Sequence, residues 1–94
     1  MPVLFVANNC IACNMTKKQL ERAGVLDCFT IYNVNNDPDG SIARKTDELK
    51  QKYGLAGAPF VDPRDLGLDP FVGFNPDKIK EVINVVLQLM QSSQ

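Results

Sequence analysis

A run of β-forming apolar residues, Pro2-Val3-Leu4-Phe5-Val6-Ala7, stops at two asparagines and gives way to Cys10-Ile11-Ala12-Cys13 at the head of a helical pattern. That junction constrains the fold more than any other stretch of the chain. The run reads as a buried strand. Asn8 and Asn9 make the turn, and Asn9 is also placed to cap the helix that follows. The pattern predicts a helix from about Cys10 to Ala23, with Met15, Leu20 and Ala23 inward and Lys17, Lys18, Glu21 and Arg22 mostly outward. Gly24 is its predicted stop.

The rest of the chain continues the alternation. Phe29 to Val34 reads as a second strand, and Asn35 to Gly40 is a loop dense in turn residues. A second helix is predicted from about Ser41 to Tyr53, with Ile42, Leu49 and Tyr53 on one face, Thr46 between them, and Gly54 at its end. Ala58 to Val61 makes a short third strand. Pro63, Gly67 and Pro70 mark a loop or wide hairpin, and Phe71 to Phe74 makes a fourth strand. Asn75 is an N-cap residue with Pro76 in the N1 position. The last helix carries the stripe Ile79, Val82, Ile83, Val86, Leu89 and Met90, and the tail Gln91 to Gln94 is expected to fray. The order is therefore β-α-β-α-β-β-α. Two strands joined through a helix imply a parallel pair with a right-handed crossover. Two strands joined by a short connection must be antiparallel. The expectation is an α/β fold, a four-stranded mixed sheet with three helices distributed over both faces.

The Cys10-Ile11-Ala12-Cys13 spacing suits redox chemistry for a geometric reason. Residues i and i+3 of a helix share a face, with Cα atoms about 5 Å apart at ~1.5 Å rise per residue. A disulfide requires a Cα separation of about 4.4–6.8 Å. The bridge can thus open and close with little backbone movement. The helix N-terminus supplies the reactivity, because its unpaired N–H groups and its dipole favour an anion. A free cysteine titrates near about 8.5, and a shift toward ~7 makes roughly half of it thiolate at neutral pH. Cys10, nearer the helix end, is the expected nucleophile. Cys13, one turn in, is the expected resolving thiol. The alternatives are two structural cysteines that happen to lie three apart, or a zinc site. Zinc needs four ligands, and one chain offers only Cys28 beside the pair and no histidine. Cys28 itself reads as a small buried hydrophobe. Asp37, Asp39 and Asp62 read as turn or cap residues.

Bulk properties narrow the function further. At 94 residues the chain fits a single domain, 1–94, with one core. The absence of histidine removes Cys–His and Ser–His–Asp mechanisms and any His-ligated metal. A net charge of −1 with no basic block gives no electrostatic support for nucleic-acid binding. No apolar stretch approaches the ~20 residues of a membrane span, and the apolar start is too short for a signal peptide. An odd, small number of cysteines, three, is no disulfide framework. The expected setting is the cytoplasm, without membrane partners, as a monomer, with no metal.

A second element joins the pair. Ala58-Pro59 puts a proline in a short strand, where it removes a ladder donor. A cis Pro59 turns the Ala58 backbone toward the cysteines, where it can bond an extended substrate. Cys10, Cys13, Thr16, Lys17 and Leu20, then Ala58 and Pro59, then Gly73-Phe74-Asn75-Pro76-Asp77, together resemble the NrdH-redoxin branch of the glutaredoxin-like proteins. The resemblance runs from the first strand to the last helix. It implies a thioredoxin-like fold of the glutaredoxin type and a redox role for Cys10 and Cys13. It also implies a cis Pro59 and a target-binding role for Ala58, Pro59, Gly73 and Phe74. The implied cofactor is none beyond the Cys10–Cys13 disulfide. The implied partners are ribonucleotide reductase, as the protein reduced, and thioredoxin reductase, as the donor.

Two departures bear on the reductant. Glutathione-using glutaredoxins typically carry a Gly-Gly-x-Asp pattern where this chain has Gly73-Phe74-Asn75-Pro76. Many also place a lysine shortly before the pair, where Ala7, Asn8 and Asn9 stand. Both weaken glutathione as the reductant, although a glutathione-dependent glutaredoxin stays the alternative reading. A third reading is a binding module that kept the fold but lost the redox cycle. The connections Gly24 to Thr30 and Asp62 to Pro70 are long for the family.

Overall fold

Burial on both faces of Val3–Val6 fixes how the molecule is layered. This strand, β1, sends Leu4 and Val6 to one face and Phe5 to the other, and all three are buried. In the computed structural model, which describes residues 1–92, β1 is followed by α1 (Ile11–Arg22), β2 (Thr30–Asn33), α2 (Ser41–Tyr53), β3 (Phe60–Asp62), β4 (Phe71–Val72) and α3 (Pro76–Ser92). The sheet order is β2-β1-β3-β4. β1 pairs parallel with β2, and β3 pairs antiparallel with both β1 and β4. The element order, the mixed sheet and its pairings are as the sequence predicts.

The two faces hold different cores. On one face, Leu4, Val6, Val61 and Phe71 meet Cys13 and Leu20 of α1 and Ile79, Val82, Ile83 and Val86 of α3. On the other, Phe5 stacks on Tyr32 at 5.6 Å and meets the edge of Phe60 at 5.7 Å. Ile42 and Lys45 of α2 border the same aromatic group. The helices therefore cover both faces of the sheet, α1 and α3 on one side and α2 on the other.

Several boundaries and orientations differ from the sequence reading. β3 begins at Phe60 rather than Ala58, and β4 ends at Val72 rather than Phe74. Pro59 has no N–H to donate, so the β3–β4 ladder ends at the Phe60–Val72 pair, two residues short on each strand. Met15 is 43% exposed, not inward. Cys13, Thr16 and Leu20 take the buried face of α1, and Met15 lies outside that arc. Leu89 and Met90 leave the core although they continue the apolar stripe. A 17-residue helix is roughly 25 Å long at ~1.5 Å per residue. A four-residue strand covers only about 13 Å. α3 therefore outruns the sheet it packs on. Tyr53 is exposed as well, its ring flanked by Lys52 and Arg64 cations at 5.7 and 5.9 Å, while Thr46 is the buried member of α2.

The two long connections each contain a single 3-10 turn, Leu26–Cys28 and Arg64–Leu66. Asp62 is a turn residue, as the sequence reading has it: it ends β3, and its Oδ1 accepts the Arg64 N–H two residues on at 3.3 Å. Its carboxylate also receives the Arg64 side chain, from Nε at 2.7 Å and Nη2 at 2.9 Å. Gln91 and Ser92 belong to α3, and the remainder of the predicted fraying tail, Ser93 and Gln94, lies outside the described residues.

Candidate functional site

The cysteine pair sits where β1 ends and α1 begins, and the turn between them is held by asparagines. Asn9 adopts φ 54, the left-handed region that asparagine tolerates better than most residues. Asn8 is fixed from β2 and the loop beyond it. Its N–H donates to Asn35 Oδ1 at 2.6 Å, and its Oδ1 accepts from Asn33 Nδ2 at 2.9 Å. The sequence reading made Asn9 the cap. The structure gives that position to Cys10, because a left-handed Asn9 turns the chain one residue too early to cap.

Cys10 has extended backbone angles (φ −112, ψ 105), and its Sγ accepts the Cys13 N–H at 3.1 Å. A sulfur thus takes the role a serine or aspartate oxygen plays at most helix starts. Cys10 and Cys13 are joined by a disulfide with a Cα separation of 5.2 Å, matching the i, i+3 geometry. The first turn of α1 holds no acidic residue, so nothing there opposes the dipole's attraction for a thiolate. The environments of the two sulfurs differ. Cys13 is 1% exposed and belongs to the apolar cluster, while Cys10 is half-buried at the cluster's edge and its neighbour Ile11 is 79% exposed. A partner therefore meets Cys10 first.

Strand register brings the other predicted residues to the same end of the sheet. Phe5 faces Phe60, and Phe60 faces Val72. One residue further on, Pro59 falls beside the end of β1 and Gly73 falls beside Pro59. The Gly73 N–H donates to the Pro59 carbonyl at 2.9 Å. The Ala58–Pro59 bond is cis. Pro59 is fully buried, while Ala58 and Phe74 are half-buried against the cluster that also contacts Cys10. Gly73, at φ 79, turns the chain out of β4 toward α3. Asn75 caps α3 by accepting the Lys78 N–H at 3.1 Å.

Thr16 lies one turn beyond Cys13. It is fully buried, and its hydroxyl donates to the Ala12 carbonyl at 2.8 Å. Cys28 is far from this end. It is a half-buried free thiol whose S–H is directed at the Met90 sulfur, 4.0 Å away. The positioning residues the sequence reading missed are Asn33 and Asn35. Asn35 opens a run of turn-forming residues and Asn33 reads as part of the second strand, and neither signal says which turn the side chain serves.

A disulfide at a helix start, a buried cis proline on the adjoining strand and a mixed sheet of order β2-β1-β3-β4 define a thiol–disulfide oxidoreductase of thioredoxin-like fold. The glutaredoxin family model matches residues 3–62, well over half of the chain, and the chain belongs to the glutaredoxin family. No curated protein matches it. No helix among the described residues is long and apolar enough to cross a membrane.

Proposed function

We propose that this chain is a dithiol electron carrier that reduces disulfides in other proteins, with Cys10 as nucleophile and Cys13 as resolving thiol. The observation that carries the reading is the unequal exposure of two sulfurs that share one bridge at a helix N-terminus. Reduction begins when the Cys10 thiolate attacks one sulfur of the target disulfide. A Cys10–target bond forms, and the other target sulfur leaves as a thiolate and takes up a proton. Cys13 then loses its proton and attacks Cys10 Sγ. The Cys10–Cys13 bond forms, and the second target sulfur is released. Two electrons pass to the target, and the oxidised pair must then be reduced by a two-electron donor.

The target we propose is ribonucleotide reductase and the donor is thioredoxin reductase, as in the NrdH-redoxin branch, acting in the cytoplasm on a monomeric, single-domain carrier. Gly73-Phe74-Asn75-Pro76 in place of a Gly-Gly-x-Asp pattern supports this over glutathione. Ala58, Gly73 and Phe74 form the surface against which the target backbone lies, the buried Pro59 sets the direction of the Ala58 backbone beneath it, and no cofactor is needed beyond the cysteine pair. The glutaredoxin family match itself favours the second reading, a glutathione-dependent glutaredoxin.

Side-by-side reduction of the oxidised protein tests both. One arm supplies NADPH with thioredoxin reductase, the other NADPH with glutathione and glutathione reductase. Faster NADPH consumption in the first arm is expected. Faster consumption in the second replaces the donor assignment, and consumption in neither ends the carrier reading.

A further inference from the structure

One stripe of α1 is used neither by the core nor by the disulfide. Ile11, Met15, Lys18 and Arg22 stand at i, i+4, i+7 and i+11, so they share one helix face. Ile11 and Met15 are 79% and 43% exposed, and both cations are exposed. The lower part of this face opens into a groove of about 370 Å³ lined by Met15, Lys18, Gln19, Arg22 and Phe74. Gln19 ties that groove to the start of α3, donating its Nε2 hydrogen to the Pro76 carbonyl at 3.2 Å. No carboxylate lines it. Neither Lys18 nor Arg22 is ion-paired among the described residues. The helix holds three cations and one carboxylate in a chain of net charge −1, so its positive charge is local.

The stripe is graded. It is apolar beside Cys10 and cationic further along. Lys18 and Arg22 lie roughly 10 and 16 Å beyond Ile11 at ~1.5 Å rise per residue. An extended peptide advances about 3.3 Å per residue. A peptide whose cysteine is attacked by Cys10 therefore reaches the two cations about three to five residues away.

Resting on the carrier reading above, we infer that this face of α1, with Phe74, selects the target. The occupant is an extended segment of the target protein with an apolar residue next to the attacked cysteine and aspartate or glutamate three to five residues from it. The apolar side chain lies on Ile11, Met15 and Phe74. The carboxylates meet Lys18 and Arg22.

The test uses the full, reduced chain at low salt and three probes. The first is hydroxyethyl disulfide, small and uncharged. The second is a synthetic disulfide peptide with leucine beside a cysteine and glutamates at the stated spacing. The third is the same peptide with lysines in place of glutamates. Peptide rates are normalised to the hydroxyethyl disulfide rate of the same protein, which cancels any change in Cys10 reactivity. The glutamate peptide is expected to exceed the lysine peptide by about three- to tenfold in kcat/KM, the range for exposed charge pairs. The preference should shrink as salt screens it, and it should reverse in the K18E/R22E variant. Equal peptide rates, or a preference that survives K18E/R22E, overturn the inference while leaving the carrier intact. No reduction of hydroxyethyl disulfide by the wild-type protein overturns the carrier reading itself, and the inference with it.

Discussion

Cys10 combines two roles that most helix starts keep apart, since the atom that caps α1 is also the proposed reacting atom. Reduction of the disulfide leaves the same N–H groups facing a sulfur that is free to ionise. The prediction is a Cys10 thiol that titrates below the ordinary ~8.5 of free cysteine, read from the ultraviolet absorbance of the thiolate as pH is raised. The rate of target reduction should rise with pH through that same midpoint and level off above it, because only the deprotonated form attacks. Cys10→Ser should abolish reduction, and Cys13→Ser should accumulate a mixed disulfide with the target, visible by mass. A Cys10→Ser protein that still reduces the target would remove Cys10 as the nucleophile, and a wild-type protein that binds the target without reducing it would point to a binding module. Thr16 provides a separate residue-scale test. Its hydroxyl is fully buried and donates to the Ala12 carbonyl. Thr16→Val keeps the shape and removes the bond, so a loss of about 1 kcal/mol is expected in urea unfolding.

At the scale of elements, the helices are finished by residues that periodicity does not reveal. α2 starts after Gly40, which has no side chain to offer, and its orphan N–H groups are met from outside. Asp37 accepts from Ile42 and Ala43 through its two carboxylate oxygens, at 3.2 and 3.0 Å. The negative charge also sits at the favourable end of the helix dipole. Asp37→Ala should cost about 1–2 kcal/mol of stability, seen as a lower urea midpoint with disulfide reduction left intact. Asp37 was legible as a turn or cap residue, but which helix it serves depends on how the Asn35 to Gly40 loop folds back. Helix three shows the opposite limit. Leu89 and Met90 repeat the apolar period without error, yet they are exposed because the sheet has ended. A period records which residues share a face. It carries no information on how long the opposing surface is.

For the whole molecule, the two sheet faces are unequal, and stability rests mainly on the face shared by α1 and α3. Ile79 is 1% exposed within the cluster that contains Cys13. Ile79→Ala should cost about 2–5 kcal/mol, measured as the shift in urea midpoint of the oxidised protein. At the surface far from the site, the Met1 ammonium donates to Asp65 Oδ2 at 2.7 Å. That hydrogen bond, followed by the charge of the amine, holds the Asp65 carboxyl below its usual value. A carboxyl depressed in the folded state contributes stability above its unfolded value of about 3.9 and loses it as pH falls through the lower folded value. Wild type should therefore exceed Asp65→Asn in urea midpoint at about pH 7, by a small margin for so exposed a pair. The margin should close as the solution is acidified below about pH 4.

The sequence alone determined what depends on near neighbours along the chain: the alternation of strands and helices, the disulfide-compatible spacing of Cys10 and Cys13, and the Asn75-Pro76 helix start. These follow from backbone sterics and from periods of two and 3.6 residues, which act over a few positions. Tertiary structure decided what depends on residues distant in sequence. It set Asn33 and Asn35 beneath the Asn8 turn, made Cys10 rather than Asn9 the cap, drew Pro59 and Gly73 to the end of β1, and left Met15 and Leu89 in solvent. The reason is that register and burial are properties of paired surfaces, and no single segment contains its partner.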